Sequence, residues 1–376
     1  MFHDLYITGI ERISSLQVAL IIVGIGLIVL AIKKKWEPYE LLPLGFGIIL
    51  TNLPLTYMSL DVPGQFGILY ILSHYGIFWP VLPILIFVGL GAMTDFDPII
   101  ANPKLIFFGI AAQLGIFVAF IGAISLGFTP QEAASISIIG GADGPTTIFL
   151  TSRLAPHILG VTGVAAYTYI GMIPFIQPPI SKALTSVKER KIRMKPLRHV
   201  SKTEKIMFPV ITSIIVLLLV PQSGQIIGMF MFGNMLKVSG VVPRLSKSAS
   251  NELTNLVTMF LCFSVGATLN AEIISTLGVL LVLGVFILGV VAVASGCAFG
   301  IIMAKIWNIF SKEKINPLIG ASGVSAVPAA ARVAQAEALK VDPENHILMY
   351  AMGPNVAGVI GSATVAGVFL AMLGGL

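Results

Sequence analysis

The segment from Gly140 to Thr146 constrains the fold of this chain more than any other. It places one carboxylate, Asp143, inside an apolar run from Ala133 to Leu150, between glycines and a proline that interrupt a helix. A charge at membrane depth costs roughly 2.5–3.5 kcal/mol on insertion scales. Broken backbone at that depth must be buried in protein or line a wet cavity. The segment therefore predicts a cation site, with a structural aspartate at a helix start as the alternative.

The composition places this segment in a membrane protein. Of 376 residues, 56% are hydrophobic and only 11% are charged, whereas about 25% of a soluble domain is charged. The formal net charge is +6, but the basic residues are concentrated in a few connecting loops, so they do not indicate nucleic-acid binding. We expect an all-α polytopic protein whose partner is the lipid bilayer.

Apolar runs predict where the chain crosses the membrane. A spanning helix needs about 20 residues, with a range of roughly 17–25. The shorter apolar stretch 65–76 is expected at the membrane interface. About ten crossings are predicted, near residues 16–32, 41–57, 77–92, 104–127, 158–180, 206–221, 224–241, 253–267, 275–304 and 346–374.

The basic loops assign the sides of the membrane. Lys33–Lys35 and the loop 181–205 are expected inside by the positive-inside rule, while the loop 127–131 lacks basic residues and is expected outside. Two apolar segments, 133–151 and 158–180, lie between the outside loop 127–131 and the inside loop 181–205. The chain changes sides between these loops, so it must cross the membrane an odd number of times, and only one of the two segments can be a full crossing. The broken segment 133–151 is therefore predicted to be a re-entrant hairpin.

The chain also resembles itself. Gly91-Ala92-Met93-Thr94 recurs as Gly266-Ala267-Thr268-Leu269, and Ile139-Gly140-Gly141-Ala142 recurs as Ile319-Gly320-Ala321-Ser322. Broken segments at matching places in inverted halves indicate a transporter site. The sequence predicts an inverted-repeat transporter with two re-entrant hairpins and four parts: N-terminal membrane segments (1–76), the first repeat core (77–180), a basic cytoplasmic loop with connecting spans (181–252) and the second repeat core (253–376).

Polar side chains near the two broken segments are the candidate ligands. Asp143, Asn316, Ser325 and Asn355 can converge if the hairpin tips meet, and their oxygen atoms suit a hard cation. One carboxylate favours a monovalent ion, and the lack of nearby imidazole or thiolate argues against a transition metal. Asn316 precedes a proline, so a helix cap is an equal alternative for that residue.

At these residues the chain resembles the integral-membrane beta subunit of sodium-pumping, biotin-dependent decarboxylases. The resemblance extends over most of the chain and is strongest in five long motifs: Gly89–Asp95, Gly140–Thr147, Tyr169–Pro179, Asn316–Arg332 and Met352–Ser362. In that family a carboxyltransferase loads a biotin carrier, and the beta subunit couples removal of carbon dioxide from carboxybiotin to sodium export. The acids decarboxylated include oxaloacetate, methylmalonyl-CoA, glutaconyl-CoA and malonate.

The resemblance implies a role for each matching residue. Sodium binding falls on Asp143, Asn316, Gly320, Ser325 and Asn355. Asp143 is expected to alternate between sodium and a proton. Catalytic or coupling roles fall on Asp143, Tyr169, Ser325 and Arg332. Tyr169 is expected to be a proton donor or gate, and Ser325 and Arg332 are expected to face carboxybiotin.

The expected cofactors are the sodium ion and biotin on a partner subunit. The expected partners are the carboxyltransferase, the biotin carrier protein and a small membrane subunit. The chain is expected to form a homo-oligomer in the bacterial cytoplasmic (inner) membrane. A secondary sodium/proton exchanger or sodium-coupled anion transporter, with no chemical step, is the alternative that the hairpins, the acid and the repeat fit equally well.

Overall fold

The computed structural model describes residues 9–59, 61–62 and 65–375. Residues 1–8 of the predicted N-terminal part, residues 60, 63 and 64, and residue 376 at the end of the second repeat lie outside the described residues.

The described part of the chain is mostly helical. Its first half contains α1 (Gly9–Arg12), α2 (Ser15–Val29), α3 (Pro38–Thr51), α4 (Ile68–Ile71), α5 (Val81–Met93), α6 (Asp97–Ala101), α7 (Leu105–Ala112), α8 (Leu114–Ser125), α9 (Pro130–Ser137), α10 (Gly144–Leu154), α11 (Leu159–Leu184) and α12 (Val187–Arg190). Its second half contains α13 (Lys202–Leu219), α14 (Gly224–Ser239), α15 (Pro243–Ser248), α16 (Thr254–Ala267), α17 (Ala271–Leu277), α18 (Val279–Phe310), α19 (Leu318–Ala321), α20 (Ala329–Leu339) and α21 (Leu348–Leu373).

Short segments of other geometry connect these helices. Two short strands, β1 (Asp61–Val62) and β2 (Gln65–Phe66), form an antiparallel pair. Tighter 3₁₀ turns lie at Ile138–Gly141, Pro156–Ile158 and Pro221–Ser223, and wider π-helical turns lie at Leu30–Lys34, Leu72–Phe78 and Ala249–Leu253.

The lengths and hydropathy of the helices confirm a multi-pass all-α membrane protein. Five helices in the described part of the chain are long and apolar enough to cross a bilayer, or up to seven if each of two bent pairs counts as one span. The five are Ser15–Lys34, Leu105–Ser125, Pro156–Leu184, Val279–Phe310 and Leu348–Leu373.

Glycines let two pairs of helices cross in close contact. A Cβ atom on Gly91 of α5 would lie 1.9 Å from the carbonyl oxygen of Phe230 in α14. One on Gly266 of α16 would lie 2.1 Å from the carbonyl oxygen of Leu44 in α3. Small residues at such crossings are how helices associate in a membrane, where no hydrophobic force drives one helix against another. Both glycines belong to the recurring sequence motifs.

The predicted broken segments fold back into hairpins. In the first (hairpin 1, 130–154), α9 and α10 pack against each other, and the Nε2 atom of His157 lies 2.8 Å from Oε1 of Glu132 where the segment begins. In the second (hairpin 2, 316–339), Asn316 near its start and Asn345 beyond its end both donate hydrogen bonds to the carbonyl oxygen of Arg190, at 2.7 and 3.0 Å. The start and the end of each hairpin therefore lie close to each other.

Candidate functional site

Asp143 begins the second arm of hairpin 1. It is the N-cap of α10, and its carboxylate accepts hydrogen bonds from the backbone N–H of Thr146 at 3.3 Å and from the Thr146 hydroxyl at 2.6 Å. The side chain of Ser362 in α21 donates a third bond at 3.3 Å. Although Asp143 is only 6% exposed, these donors and the positive end of the helix stabilise its charge.

The chain reverses just before Asp143. Ala142 has a φ of 51°, in the left-handed region that costs an L-residue roughly 1–2 kcal/mol. The 3₁₀ turn Ile138–Gly141 ends there, and α10 starts in a new direction. The reversal leaves the Gly141 carbonyl free of intrahelical bonds and available to the other hairpin.

The tips of the two hairpins touch at this carbonyl. The backbone N–H of Ser325 donates to the Gly141 oxygen at 2.7 Å, and the Ser325 hydroxyl donates to the same atom. The hydroxyls of Ser325 and Ser362 are 3.5 Å apart. Asp143, Ser362 and Ser325 thus form one cluster where the two tips meet.

Asn355 reaches the second tip from α21. Its Nδ2 atom donates to the carbonyl oxygens of Ser322 at 2.9 Å and Val324 at 2.8 Å, while its buried Oδ1 atom has no hydrogen-bond partner among the described residues. A buried acceptor without a donor suits a cation, because amide oxygens are hard ligands. The structure therefore brings Asn355 to the site in an orientation that leaves its oxygen available.

Gln113 supplies a second free oxygen that the sequence analysis missed. It lies between α7 and α8, where its Nε2 atom donates to the Gly109 and Gly323 carbonyls, both at 3.2 Å. Its buried Oε1 atom has no partner in the described part of the chain, and it would lie 3.7 Å from a Cβ atom placed on Gly141. A polar residue in the middle of the apolar run 104–127 was the signal that could have revealed it.

Gly320 lies where hairpin 2 presses against α18. A Cβ atom on Gly320 would lie 2.1 Å from the Gly300 carbonyl oxygen, and one on Gly300 would lie 2.0 Å from the Gly320 oxygen. The two backbones are therefore too close for any side chain. This contact accounts for a glycine at position 320.

Asn316 does not join the cluster at the hairpin tips. Its Nδ2 atom donates to the carbonyl oxygens of Arg190 and Ile192, and its Oδ1 atom accepts from the backbone N–H of Leu318. Among the described residues it has no hydrogen bond to Asp143, Ser325 or Asn355. The structure therefore does not bring Asn316 to the other three residues, because the turn that starts hairpin 2 uses its amide group.

Two tyrosines of α11 face different neighbours. The hydroxyl of Tyr169 donates to the carbonyl oxygen of Phe286 in α18 at 2.5 Å. The ring of Tyr167 instead packs against Gly144, the residue after Asp143, so that a Cβ atom there would lie 2.5 Å from the ring. Tyr167, which the sequence analysis did not single out, is the tyrosine beside the acid.

Arg332 lies on the exposed side of α20, just after the second tip. It is close enough to Glu37, at the start of α3, to act on its charge: burial raises the pKa of Glu37, and the Arg332 guanidinium opposes that rise. An exposed arginine thus lies just beyond a hairpin tip.

Comparison with known proteins identifies the family. Residues 16–373 match the family described as the Na⁺-transporting oxaloacetate decarboxylase beta subunit. The chain belongs to this family. It is 51% identical to the methylmalonyl-CoA decarboxylase subunit beta of Propionigenium modestum, over 98% of this chain and 97% of that protein.

Two other relatives belong to decarboxylases of different acids. The oxaloacetate decarboxylase beta chain of Haemophilus ducreyi is 46% identical, over 96% of each chain. The glutaconyl-CoA decarboxylase subunit beta of Acidaminococcus fermentans is 49% identical, over 95% of this chain and 93% of that protein. The family therefore includes subunits from complexes with three different substrates, and the chain is similar to all of them.

Proposed function

We propose that this chain carries the sodium transport of a biotin-dependent decarboxylase, exporting sodium ions as carboxybiotin is decarboxylated. The observation that carries the proposal is the buried Asp143 carboxylate at the contact between two broken hairpins. A carboxylate among hydroxyl and amide oxygens can hold a monovalent cation and can accept a proton when the cation leaves. Family membership favours this function over a secondary exchanger without a chemical step.

We assign the sodium ion to the oxygens around the two tips. Asp143 supplies the negative charge, the Ser325 hydroxyl and the free amide oxygens of Asn355 and Gln113 supply neutral ligands, and Gly320 sets the approach of hairpin 2. Asn316 positions the start of that hairpin. Its predicted role as a direct ligand would require its amide to leave the Arg190 and Ile192 carbonyls.

Two inverted halves explain how the site could open to either side. The packing of α3 on α16 is matched by that of α14 on α5. In the same way, the packing of α11 on α18 is matched by that of α21 on α7. Asn52 donates to the Leu269 carbonyl, and Asn234 donates to the Thr94 carbonyl. Thr94 and Leu269 end the two recurring motifs, so the bonds are equivalent. These matched contacts support an inverted repeat whose halves begin at α3 and α14, earlier than the predicted cores.

The same topology accounts for the crossings. We propose that α2, α3, α5, α7 with α8, α11, α13, α14, α16, α18 and α21 each cross the membrane, and that hairpin 1 enters from outside and hairpin 2 from inside. The cytoplasmic side then carries the basic segment 182–205. That side is where partner subunits would dock: a carboxyltransferase, a biotin carrier and a small membrane subunit. We place the complex in the bacterial inner membrane.

Arg332 is the residue that we assign to carboxybiotin. Its exposed guanidinium beside the second tip fits a carboxylate, which it can bind with two parallel hydrogen bonds. Biotin on a partner subunit would supply the carboxyl group whose loss drives transport. Ser325 and Arg332 both belong to hairpin 2, and Ser325 contacts hairpin 1 at Gly141, two residues before Asp143. Hairpin 2 therefore connects the two events.

The test uses the complex reconstituted into vesicles. Wild type should export sodium when its substrate is decarboxylated, while Asp143→Asn should retain its fold and lose export. Sodium should also raise the melting temperature of wild type, since a ligand at 100 times its Kd stabilises by about 2.7 kcal/mol, and potassium should not. Asp95→Asn, at an exposed acid outside the site, is the matched control. Wild-type export by Asp143→Asn would refute the proposal.

A further inference from the structure

A cavity lies where the end of α5, the end of α14 and the start of α13 meet, away from the contact between the hairpins. Its volume is about 450 Å³, within the roughly 300–1,000 Å³ range of small-molecule sites. The segment that precedes α13 completes its lining. In the proposed topology these helix ends face the cytoplasm, so the cavity lies at the level of the lipid headgroups.

The lining of the cavity is basic. It contains the side chains of Lys202, Lys205 and Lys237. It also contains those of Asp95 and Asp97, which leaves one positive charge in excess. Lys205 forms an ion pair with Asp97. Lys202 and Lys237 have no acidic partner among the described residues, so both can interact with an anion.

Asn234 is the most buried polar residue of the lining, with 1% of its surface exposed. Its Nδ2 atom donates to the carbonyl oxygens of Gly91 at 3.2 Å and Thr94 at 3.1 Å. Its buried Oδ1 atom has no hydrogen-bond partner among the described residues. Because nearly all buried polar atoms in native proteins are hydrogen-bonded, this acceptor indicates a donor that the chain does not supply.

The matching asparagine of the other half has that donor. Asn52 donates to the carbonyl oxygen of Leu269, and its Oδ1 atom accepts from the backbone N–H of Ala271 at 3.0 Å. Ala271 lies two residues after the recurring motif, and Phe96 is its equivalent in the first half. The Oδ1 atom of Asn234 receives no such bond, and Phe96 lines the cavity instead. The chain closes this position in one half and leaves it to a ligand in the other.

Contacts around the cavity fix its shape. Nη2 of Arg198, in the segment before α13, donates to the Ile100 carbonyl of α6 at 3.0 Å, and it also pairs with Glu204 at 2.6 Å. The rings of Phe96 and Phe208 pack with their centroids 4.7 Å apart. The cavity therefore exists before anything binds, which lowers the cost of binding.

The surface beside the cavity is apolar. In the turns that follow Lys202, α13 exposes Met207, Val210, Ile211 and Ile214. These side chains contact acyl chains if α13 crosses the membrane as proposed. Lysines close to the cytoplasmic membrane surface attract anionic lipids. A ligand with an anionic group for the cavity and hydrocarbon for α13 is a phospholipid.

We propose that the cavity binds the headgroup of phosphatidylglycerol from the cytoplasmic leaflet. The single negative charge of its phosphate matches the excess positive charge of the lining, and the phosphate oxygens accept from Lys202 and Lys237. A hydroxyl of the glycerol headgroup donates to the Oδ1 atom of Asn234. Phosphatidylethanolamine has no net charge, and the headgroup of phosphatidylcholine has no hydrogen-bond donor, so both fit this site less well.

The experiment titrates the delipidated complex in detergent with one phospholipid at a time and records the melting temperature. Phosphatidylglycerol should raise it at a lower concentration than phosphatidylmethanol, which has the same charge but no hydroxyl group. Phosphatidylcholine should have little effect. Lys202→Gln and Lys237→Gln should each require roughly fivefold more phosphatidylglycerol, as expected for the loss of one lysine near an anionic headgroup.

The controls separate lipid binding from folding. Without added lipid both variants should melt close to wild type, because Lys202 is exposed and a glutamine can keep the bond that Lys237 donates to the Thr94 carbonyl. Lys247→Gln removes an exposed lysine of α15 that lies outside the cavity lining. Its requirement for phosphatidylglycerol should match that of wild type.

Four results would overturn the proposal. Equal lipid requirements in the three lysine variants would show that the cavity does not hold the phosphate. Equal potency of phosphatidylmethanol would remove the bond to Asn234. Stabilisation by inorganic phosphate or glycerol 3-phosphate at the same concentrations would assign the cavity to a soluble anion. A lipid effect seen only in the isolated chain, without its partner subunits, would assign the cavity to a subunit interface.

Discussion

The backbone N–H of Ser325 donates a 2.7 Å hydrogen bond to the carbonyl oxygen of Gly141, so a residue of hairpin 2 is bound to the residue just before the reversal in hairpin 1. The bond joins the two proposed repeats at the point where each is broken. Because Asp143 is two residues beyond Gly141, any displacement of hairpin 2 changes the surroundings of the carboxylate. This coupling is what a transporter needs if an event near Arg332 is to alter sodium binding.

The close approach of hairpin 2 to α18 predicts that Gly300→Ala and Gly320→Ala have the same effect. Each new methyl group would meet a carbonyl oxygen within about 2 Å, and overpacking of this kind typically costs 1–3 kcal/mol. Both variants should show a lower melting temperature and weaker sodium transport. Gly26→Ala, with nothing within 4 Å of the new Cβ atom, is the control. A defect in Gly320→Ala alone would indicate a direct role at the ion.

Asn316 and Asn345 provide a matched pair for separating structure from ligation. Both amides donate to the carbonyl oxygens of Arg190 and Ile192, and each lost bond is worth about 0.5–1.5 kcal/mol. Asn316→Ala and Asn345→Ala should therefore both lower the melting temperature, and Asn316→Ala should lower it further because it also loses the bond from the Leu318 N–H. The sodium concentration for half-maximal transport should stay at the wild-type value in both. A large increase confined to Asn316→Ala would restore the predicted ligand.

The proposed topology predicts which side each loop faces. A cysteine at Arg153, at the end of α10, should react with an impermeant maleimide from outside, and one at Lys188 should react only from inside. The native Cys262 and Cys297 are buried, so they should contribute little background. Labelling of position 153 from inside would make hairpin 1 a full crossing and would remove the inverted repeat.

The ion pair between Arg193 and Asp342, in the loop after hairpin 2, predicts that the stability of the fold depends on pH. Hydrogen bonds from Arg193 hold the pKa of Asp342 below its ordinary value. A lowered folded-state pKa stabilises the fold above the unfolded value of about 3.9, and this contribution is lost as the pH falls through the lowered value. Melting temperatures measured from pH 6 to pH 3 should fall less steeply in Asp342→Asn than in wild type. Equal slopes would show that this ion pair does not contribute.

The sequence predicted the broken hairpins because glycine and proline report directly on backbone geometry. Gly140, Gly141 and Pro145 interrupt an apolar run, and only a reversal satisfies the loop charges on either side. Asp143 was predicted for the same reason, since a lone acid at that depth has few structural uses. These inferences needed no knowledge of which helix lies beside which.

The remaining features depend on neighbours that are distant in sequence. Tyr167 and Tyr169 are two residues apart and therefore face different sides of α11, but the sequence does not say which side holds Asp143. Asn316 and Gln113 are both amides in or near apolar runs. The amide nitrogen of Asn316 donates to the Arg190 and Ile192 carbonyls at the start of hairpin 2. The amide nitrogen of Gln113 donates to the Gly109 and Gly323 carbonyls, and its oxygen has no partner among the described residues.

Gln113 provides the sharpest test of the proposed sodium site, because its amide nitrogen donates hydrogen bonds while its amide oxygen has no partner among the described residues. Gln113→Glu keeps an oxygen where Oε1 lies and adds a negative charge, but it loses the bonds to the Gly109 and Gly323 carbonyls. Gln113→Leu loses the bonds and the oxygen together. If the free oxygen is a ligand, Gln113→Leu should bind sodium more weakly than Gln113→Glu, although both lose the same donor.

The measurement is the rise in melting temperature with sodium concentration, which follows affinity by mass action. A difference of tenfold in Kd between the two variants corresponds to about 1.4 kcal/mol, a size expected for one oxygen ligand facing a charge. Met259→Leu, a substitution on the exposed face of α16, should leave the sodium response unchanged. Equal sodium affinities in Gln113→Leu and Gln113→Glu would remove Gln113 from the proposed site and leave Asp143, Ser325 and Asn355 as its proposed ligands.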